Sequence, residues 1–148
     1  MKKFILMMVI AMGITACGGN SNLTSVDING ASIALDEKLG NMSSVNEDEL
    51  ESIYQIDTNL MEEYVIKASD IANGNLYAII LVSEENKTEV KNQMTNYFDI
   101  LVEQNVLYSP EAVNLLKNYL ETSIGDYLIY ISSEDNQATY NIIKEYTK

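Results

Sequence analysis

Two hydrophobic rhythms alternate along the chain. Val90, Met94, Tyr97 and Leu101 recur at spacings of four, three and four, one stripe along the longest predicted helix. Leu76-Tyr77-Ala78-Ile79-Ile80-Leu81-Val82 is instead an unbroken apolar run, long enough for a central strand. Before it, Glu63-Tyr64-Val65-Ile66-Lys67-Ala68 has period-two character, and Asn73-Gly74-Asn75 between the two is a hairpin signal. A third strand follows Gly125-Asp126, over Tyr127-Leu128-Ile129-Tyr130-Ile131-Ser132.

Helices fill the gaps. The segment Gly30–Leu39 carries Ile33, Leu35 and Leu39 on one face and is closed by Gly40. Asn46 caps a second helix, with Glu47, Asp48 and Glu49 at the positive end of its dipole and Leu50, Ile53 and Tyr54 inward. Ser83 caps the long helix, which extends to about Val106. Ser109-Pro110 starts a fourth, with Val113, Leu116 and Leu120 on its face. The last begins at Ser133-Glu134-Asp135-Asn136 and buries Ala138, Ile142, Ile143 and Tyr146. Gly74 to Asn86 and Gly125 to Asn136 share a turn, strand and cap, a weak internal echo that good turn chemistry also produces. The expected fold is α+β: a small antiparallel sheet of about three strands, helices on one face, in the order α-α-β-β-α-α-β-α.

The first residues follow another logic. Lys2 and Lys3 precede about ten apolar or small residues, the form of a secretory signal peptide. That run is shorter than the roughly 20 residues a spanning helix needs. Ile14-Thr15-Ala16-Cys17 then resembles the bacterial lipobox, a branched aliphatic residue, two small residues and cysteine. The resemblance implies cleavage between Ala16 and Cys17 and a diacylglycerol thioether on Cys17, so that acyl chains anchor the protein in a membrane. The alternative is an ordinary Cys in a leader cleaved elsewhere. The expected organisation is a signal peptide over 1–16, a lipidated Cys and flexible tether over 17–27, and one domain over 28–148.

Charge narrows the partners. There are nine Lys, no Arg and 22 acids, and two of the lysines fall in the leader, leaving a mature net charge of −15. Such a surface repels phosphates, so no nucleic-acid partner is expected, and membrane contact falls to the anchor. Ten Tyr, two Phe and no Trp suit half-buried positions, ring in and hydroxyl out, better than a sugar-stacking platform.

In this order the elements resemble an uncharacterised domain family of small clostridial lipoproteins. The residues that carry it are Cys17, Tyr108-Ser109-Pro110-Glu111 and Gly125-Asp126-Tyr127, and it covers roughly residues 28 to 147. The resemblance implies a fold and an extracytoplasmic address at the cell membrane, and no reaction.

Chemistry is sparse. With no His and one Cys, histidine triads, Cys-His dyads and the usual zinc sites are excluded. The acids of Asn46–Glu51 lack EF-hand spacing, and Asp27-Ile28-Asn29-Gly30 is only a fragment of it, so no metal and no cofactor are expected. The expected function is a non-catalytic binding module for an envelope partner. A small-ligand or cation-binding accessory lipoprotein is the alternative, and a carboxylate hydrolase comes third.

Overall fold

The computed structural model describes residues 24–70 and 72–148. In chain order the elements are α1 (Ile28–Leu39), β1 (Ser43–Ser44), α2 (Glu47–Ser52), a short 3-10 turn (Thr58–Leu60), β2 (Glu63–Ala68) and β3 (Leu76–Leu81). They continue as α3 (Lys87–Asn105), α4 (Pro110–Lys117), β4 (Leu120–Ile124), β5 (Tyr127–Ser132) and α5 (Asn136–Glu145). The strands form one antiparallel sheet in the order β1-β2-β3-β5-β4.

The α+β class stands, but five strands replace the expected three or so. The two additional strands are the sheet edges. Both residues of β1 are exposed serines, and β4 reads Leu-Glu-Thr-Ser-Ile with a polar middle. An edge strand of this kind is held by backbone pairing and leaves almost no hydrophobic signal. Leu120 fitted the spacing of the preceding helix, yet it opens β4 and pairs with Ile131.

Helices cover both faces of the sheet, not one. Successive residues on β3 and β5 point to opposite sides. Leu76, Ala78, Ile80, Leu128 and Tyr130 pack with α2, α3 and α4. Tyr77, Ile79, Ile129 and Ile131 pack with Ala31 and Leu35 of α1 and Ile143 of α5. A strand that is apolar at every position has no face to spare for water, which is why the run 76–82 lies in the middle layer. The echo between β3 and β5 stops there: the two strands pair with each other, and the helices that follow them go to opposite faces.

Several boundaries also move. Asp27 caps α1 by accepting from the Gly30 amide, 3.0 Å, and α1 is turned so that Ile28, Ala31, Ser32 and Leu35 are inward while Ile33 is exposed. Ile53 likewise lies outside, past the end of α2. Ser83 does not cap the long helix. A turn from Ser83 to Asn86 comes first, and α3 begins at Lys87. Asp135, accepting from the Ala138 amide, caps α5. Ordered packing starts ahead of residue 28, because Val26 is buried, bridges to Thr147, and sits between Ser25 and Asp27 amides that donate to Lys148 and Tyr146 carbonyls.

Candidate functional site

A cleft of about 190 Å³ opens at the end of the sheet where β2 turns into β3. Its walls are the ends of β1 and β2, Ser69, Asp70, Gly74 and Asn75 between β2 and β3, Glu49 and Tyr54 from the α2 region, Tyr97, Leu101 and Asn105 of α3, and Leu116 of α4.

The loop wall is pinned from several directions. The Ser69 amide donates to the Asn75 carbonyl, 2.9 Å, closing the loop at its base. Ser132 Oγ donates to the Gly74 carbonyl, 2.7 Å, and Ser109 Oγ to the Ala72 carbonyl, 2.8 Å. The Ser109 hydroxyl also accepts from the Ala112 amide, 3.1 Å, as the cap of α4, with Pro110 at the first helical position. Gly74 has φ +70°, and a Cβ there would lie 2.7 Å from Ala112 Cα, so only glycine lets the loop approach α4 this closely.

The inner wall is aromatic. Tyr97 is fully buried, and Tyr54 meets it edge-on at 4.6 Å between ring centres. Burial holds the Tyr97 hydroxyl well above the ordinary tyrosine range, and Tyr54 and Glu49 nearby add to the effect. Burial, then Glu49, raises Tyr54 in the same direction. Both hydroxyls stay protonated at neutral pH and can donate as well as accept.

Asn105, at the end of α3, is the least expected lining residue. It is 1% exposed, and its Nδ2 donates to the Leu101 carbonyl at 2.8 Å. That bond orients the amide and leaves Oδ1 without a protein partner. Ser83 Oγ, Gln104 Oε1 and Tyr130 Oη are also buried without partners, but of these four only Asn105 belongs to a cleft-lining residue. An unbonded buried acceptor costs about 1–3 kcal/mol, so each of these four positions carries a local cost in the packed core. The cleft-lining residues include two acids, Glu49 and Asp70, and no lysine.

Ala16 and Cys17, the residues singled out from sequence, lie outside the described residues. Sequence reasoning passed over Asn105, though a signal existed. It continues the stripe of Val90, Met94, Tyr97 and Leu101 by four residues, a polar side chain at a core position. The acids of α2 serve their own helix and the adjacent turn: Asn46 accepts from the Asp48 amide, and Thr58 Oγ1 lies 3.0 Å from both Glu47 and Glu51 carboxylates. Among the described residues no three His, Cys, Asp or Glu side chains cluster as metal ligands, and no helix is long and apolar enough to cross a membrane.

Residues 35–133 match DUF4358, a domain of unknown function. The chain belongs to that family. The matched span contains every residue that lines the cleft and omits α5 and most of α1, which cover the far face of the sheet. An uncharacterised domain family is thus the level at which the resemblance read from the sequence holds. No curated protein and no solved structure matches the chain.

Proposed function

We propose that the protein is a lipid-anchored, extracytoplasmic binding module without catalytic activity, and that the cleft beside Asn105 is where it binds. Residues 1–16 act as the leader and Cys17 carries the acyl anchor. Members of this kind would be small lipoproteins of clostridial bacteria, as the resemblance implies.

One observation supports the reading: the cleft and Thr24, the first described residue, are at opposite ends of the sheet. Thr24 lies beside the β4–β5 turn, where a Cβ on Gly125 would be 3.2 Å from its carbonyl oxygen. Leu81 pairs with Tyr127 at that end, and Leu76 pairs with Ser132 at the cleft end, five residues away along both strands. Such a strand is about 20 Å long. Six residues separate Cys17 from Thr24, so a fully extended connection reaches at most about 25 Å. An anchor joined at that end leaves the cleft clear of the tether's attachment point. Glu49 and Asp70 are both solvent-exposed at the cleft, a rim for binding rather than a buried acid-base pair.

The test is a photocrosslinking side chain placed at Glu49 on the rim, or at Glu145 on α5, in the anchored protein in intact cells. A discrete adduct from position 49 alone is expected. No adduct at 49, or the same products from both positions, would overturn the cleft as the binding site.

A protein partner is the second reading, favoured by the turn between α3 and α4. Leu107 is 85% and Tyr108 79% exposed there, next to the Ser109 that holds the cleft's loop. A protein inserting one side chain into the cleft would also cover this turn. The mass of the adduct, read by mass spectrometry of the purified protein, separates the two: a shift of kilodaltons for a protein, and of only the ligand's own mass for a small molecule.

A further inference from the structure

We infer that the outer edge of β4 is a self-association surface, on which a second copy of this chain adds its own β4 antiparallel across a two-fold axis at Thr122. The surface is separate from the cleft and stands whether or not the cleft binds a ligand.

Backbone direction comes first. Ile124 pairs with Tyr127 across the two-residue turn Gly125-Asp126. A turn this tight closes on a pair that exchanges its hydrogen bonds, and alternation then points the amides and carbonyls of Leu120, Thr122 and Ile124 at β5. The same parity follows from the other side of the sheet, where the Val45 amide donates to the Ile66 carbonyl and pairing runs from β2 through β3 to β5. Glu121 and Ser123 therefore turn their amides and carbonyls outward. Among the described residues no backbone group bonds to those four.

Such an edge is a template for another strand unless something blunts it. The opposite edge, β1, is only two residues long. β4 runs five residues in unbroken register, with no proline and no bulge. Its one charge, on Glu121, is met by Lys91 Nζ at 3.2 Å.

Register selects the partner. An added antiparallel strand sets outward residues against outward residues, so the axis can fall on Glu121, Thr122 or Ser123. On Glu121 it sets carboxylate against carboxylate, which is unfavourable. On Ser123 it sets Glu121 against Gly125, already in the turn. On Thr122 it sets Glu121 opposite Ser123 of the second copy, twice, with four backbone hydrogen bonds. The other face gains too. Leu120 and Ile124 are half-buried against the core beneath α1 and α5, and here Leu120 of one copy meets Ile124 of the other. A groove of about 470 Å³ borders Ile124 beside Tyr140 and Lys144 of α5, with room for the incoming leucine. β4 is thus complementary to itself, as a two-fold interface requires. The two β4–β5 turns would lie about 20 Å apart along the strands, a span that two tethers reaching about 25 Å accommodate on one membrane.

Thr122→Cys in the full chain places two thiols across the axis. Opposed residues whose own bonds face inward have Cα atoms about 4.5 Å apart, within the range a disulfide spans. A mild oxidant added to intact cells should give a product of twice the chain's mass on a non-reducing gel. It should form about tenfold faster than with Ser44→Cys on the opposite edge. The unsubstituted chain sets the background from Cys17. Ser123 is exposed, and its charge variants read the register. Added to Thr122→Cys, Ser123→Glu creates two acid pairs and should slow the product about fivefold, while Ser123→Lys creates two opposite-charge pairs and should speed it about threefold.

No doubled product from Thr122→Cys, or equal rates at positions 122 and 44, would overturn the surface. Equal effects of Ser123→Glu and Ser123→Lys would overturn the register on which the second copy rests. A product of any other mass would assign the edge to a different polypeptide and overturn self-association.

Discussion

The hydroxyl of Tyr77, at the centre of the sheet, lies 2.8 Å from Asp36 Oδ1 on α1. The same hydroxyl is 2.8 Å from Ser32 Oγ, and the second oxygen of Asp36 takes Lys67 Nζ from β2 at 2.5 Å. Asp36 thereby ties α1 to β3 through one carboxylate oxygen and to β2 through the other, on the face away from the cleft. Tyr77→Phe keeps the ring packed but leaves Asp36 and Ser32 each short of a partner. It should cost about 1–3 kcal/mol, read as a lower urea midpoint with an unchanged slope.

Alkaline pH should unfold the protein through its tyrosines. Burial holds the Tyr77, Tyr97 and Tyr130 hydroxyls well above the ordinary value near 10, with neighbouring acids contributing at each. In the unfolded chain these groups lose their protons near pH 10, while the folded chain retains them. Their contribution is therefore complete below about pH 10 and is lost as pH rises beyond it. The part of the tyrosinate absorbance that belongs to these three should appear only with loss of circular dichroism, and ionisation of all ten tyrosines in a folded protein would contradict this.

Gly74→Ala should be among the most damaging single-methyl additions. The new Cβ meets Ala112 backbone at 2.7 Å and the left-handed φ adds strain, so a loss of about 2–4 kcal/mol is expected. Gly40→Ala is the control: φ there is +66° but nothing lies within 4 Å, so only the conformational cost of about 1–2 kcal/mol remains. Equal midpoints in a denaturant titration would mean that the contact with α4 is not tight.

Ser109→Ala removes both the α4 cap and the bond to the Ala72 carbonyl. About 1–2 kcal/mol should be lost. Hydrogen exchange should quicken at the Ala112 amide and at the Ser69 amide across the loop, which would tie the motif Tyr108-Ser109-Pro110-Glu111 to the shape of the cleft. Acceleration confined to α4 would limit Ser109 to capping.

Cys17→Ala should abolish fatty-acid labelling and release the protein from membranes. A variant that still labels and still sediments with membranes would remove the anchor from the proposal.

Much of the architecture was legible along the chain because it depends on local rules. β2 matches its period-two segment, β3 and β5 match apolar runs, and the stripe of Val90, Met94, Tyr97 and Leu101 is buried as its spacing requires. Caps at Asn46 and Ser109 were equally readable, since a side chain reaching an amide two or three residues on is a matter of sequence distance alone. Composition bounded the chemistry in the same direct way, through the absence of His and Arg and the excess of acids.

What required the tertiary structure depends on partners distant in sequence. The edge strands Ser43–Ser44 and Leu120–Ile124 exist because β2 and β5 offer unpaired backbone, not because their own residues demand a strand. Ser83 looks like a cap, yet the chain turns for three more residues before α3 begins. The cleft is the plainest case. Glu49, Asp70 and Asn105 are separated by helices and strands along the chain, and their convergence depends on how α2, the β2–β3 loop and the end of α3 pack at one end of the sheet. The order of residues determined the elements and the chemistry available to them. Only packing decided which acceptor would be buried without a donor, because a hydrogen bond is lost or made by positions in space that no periodicity encodes.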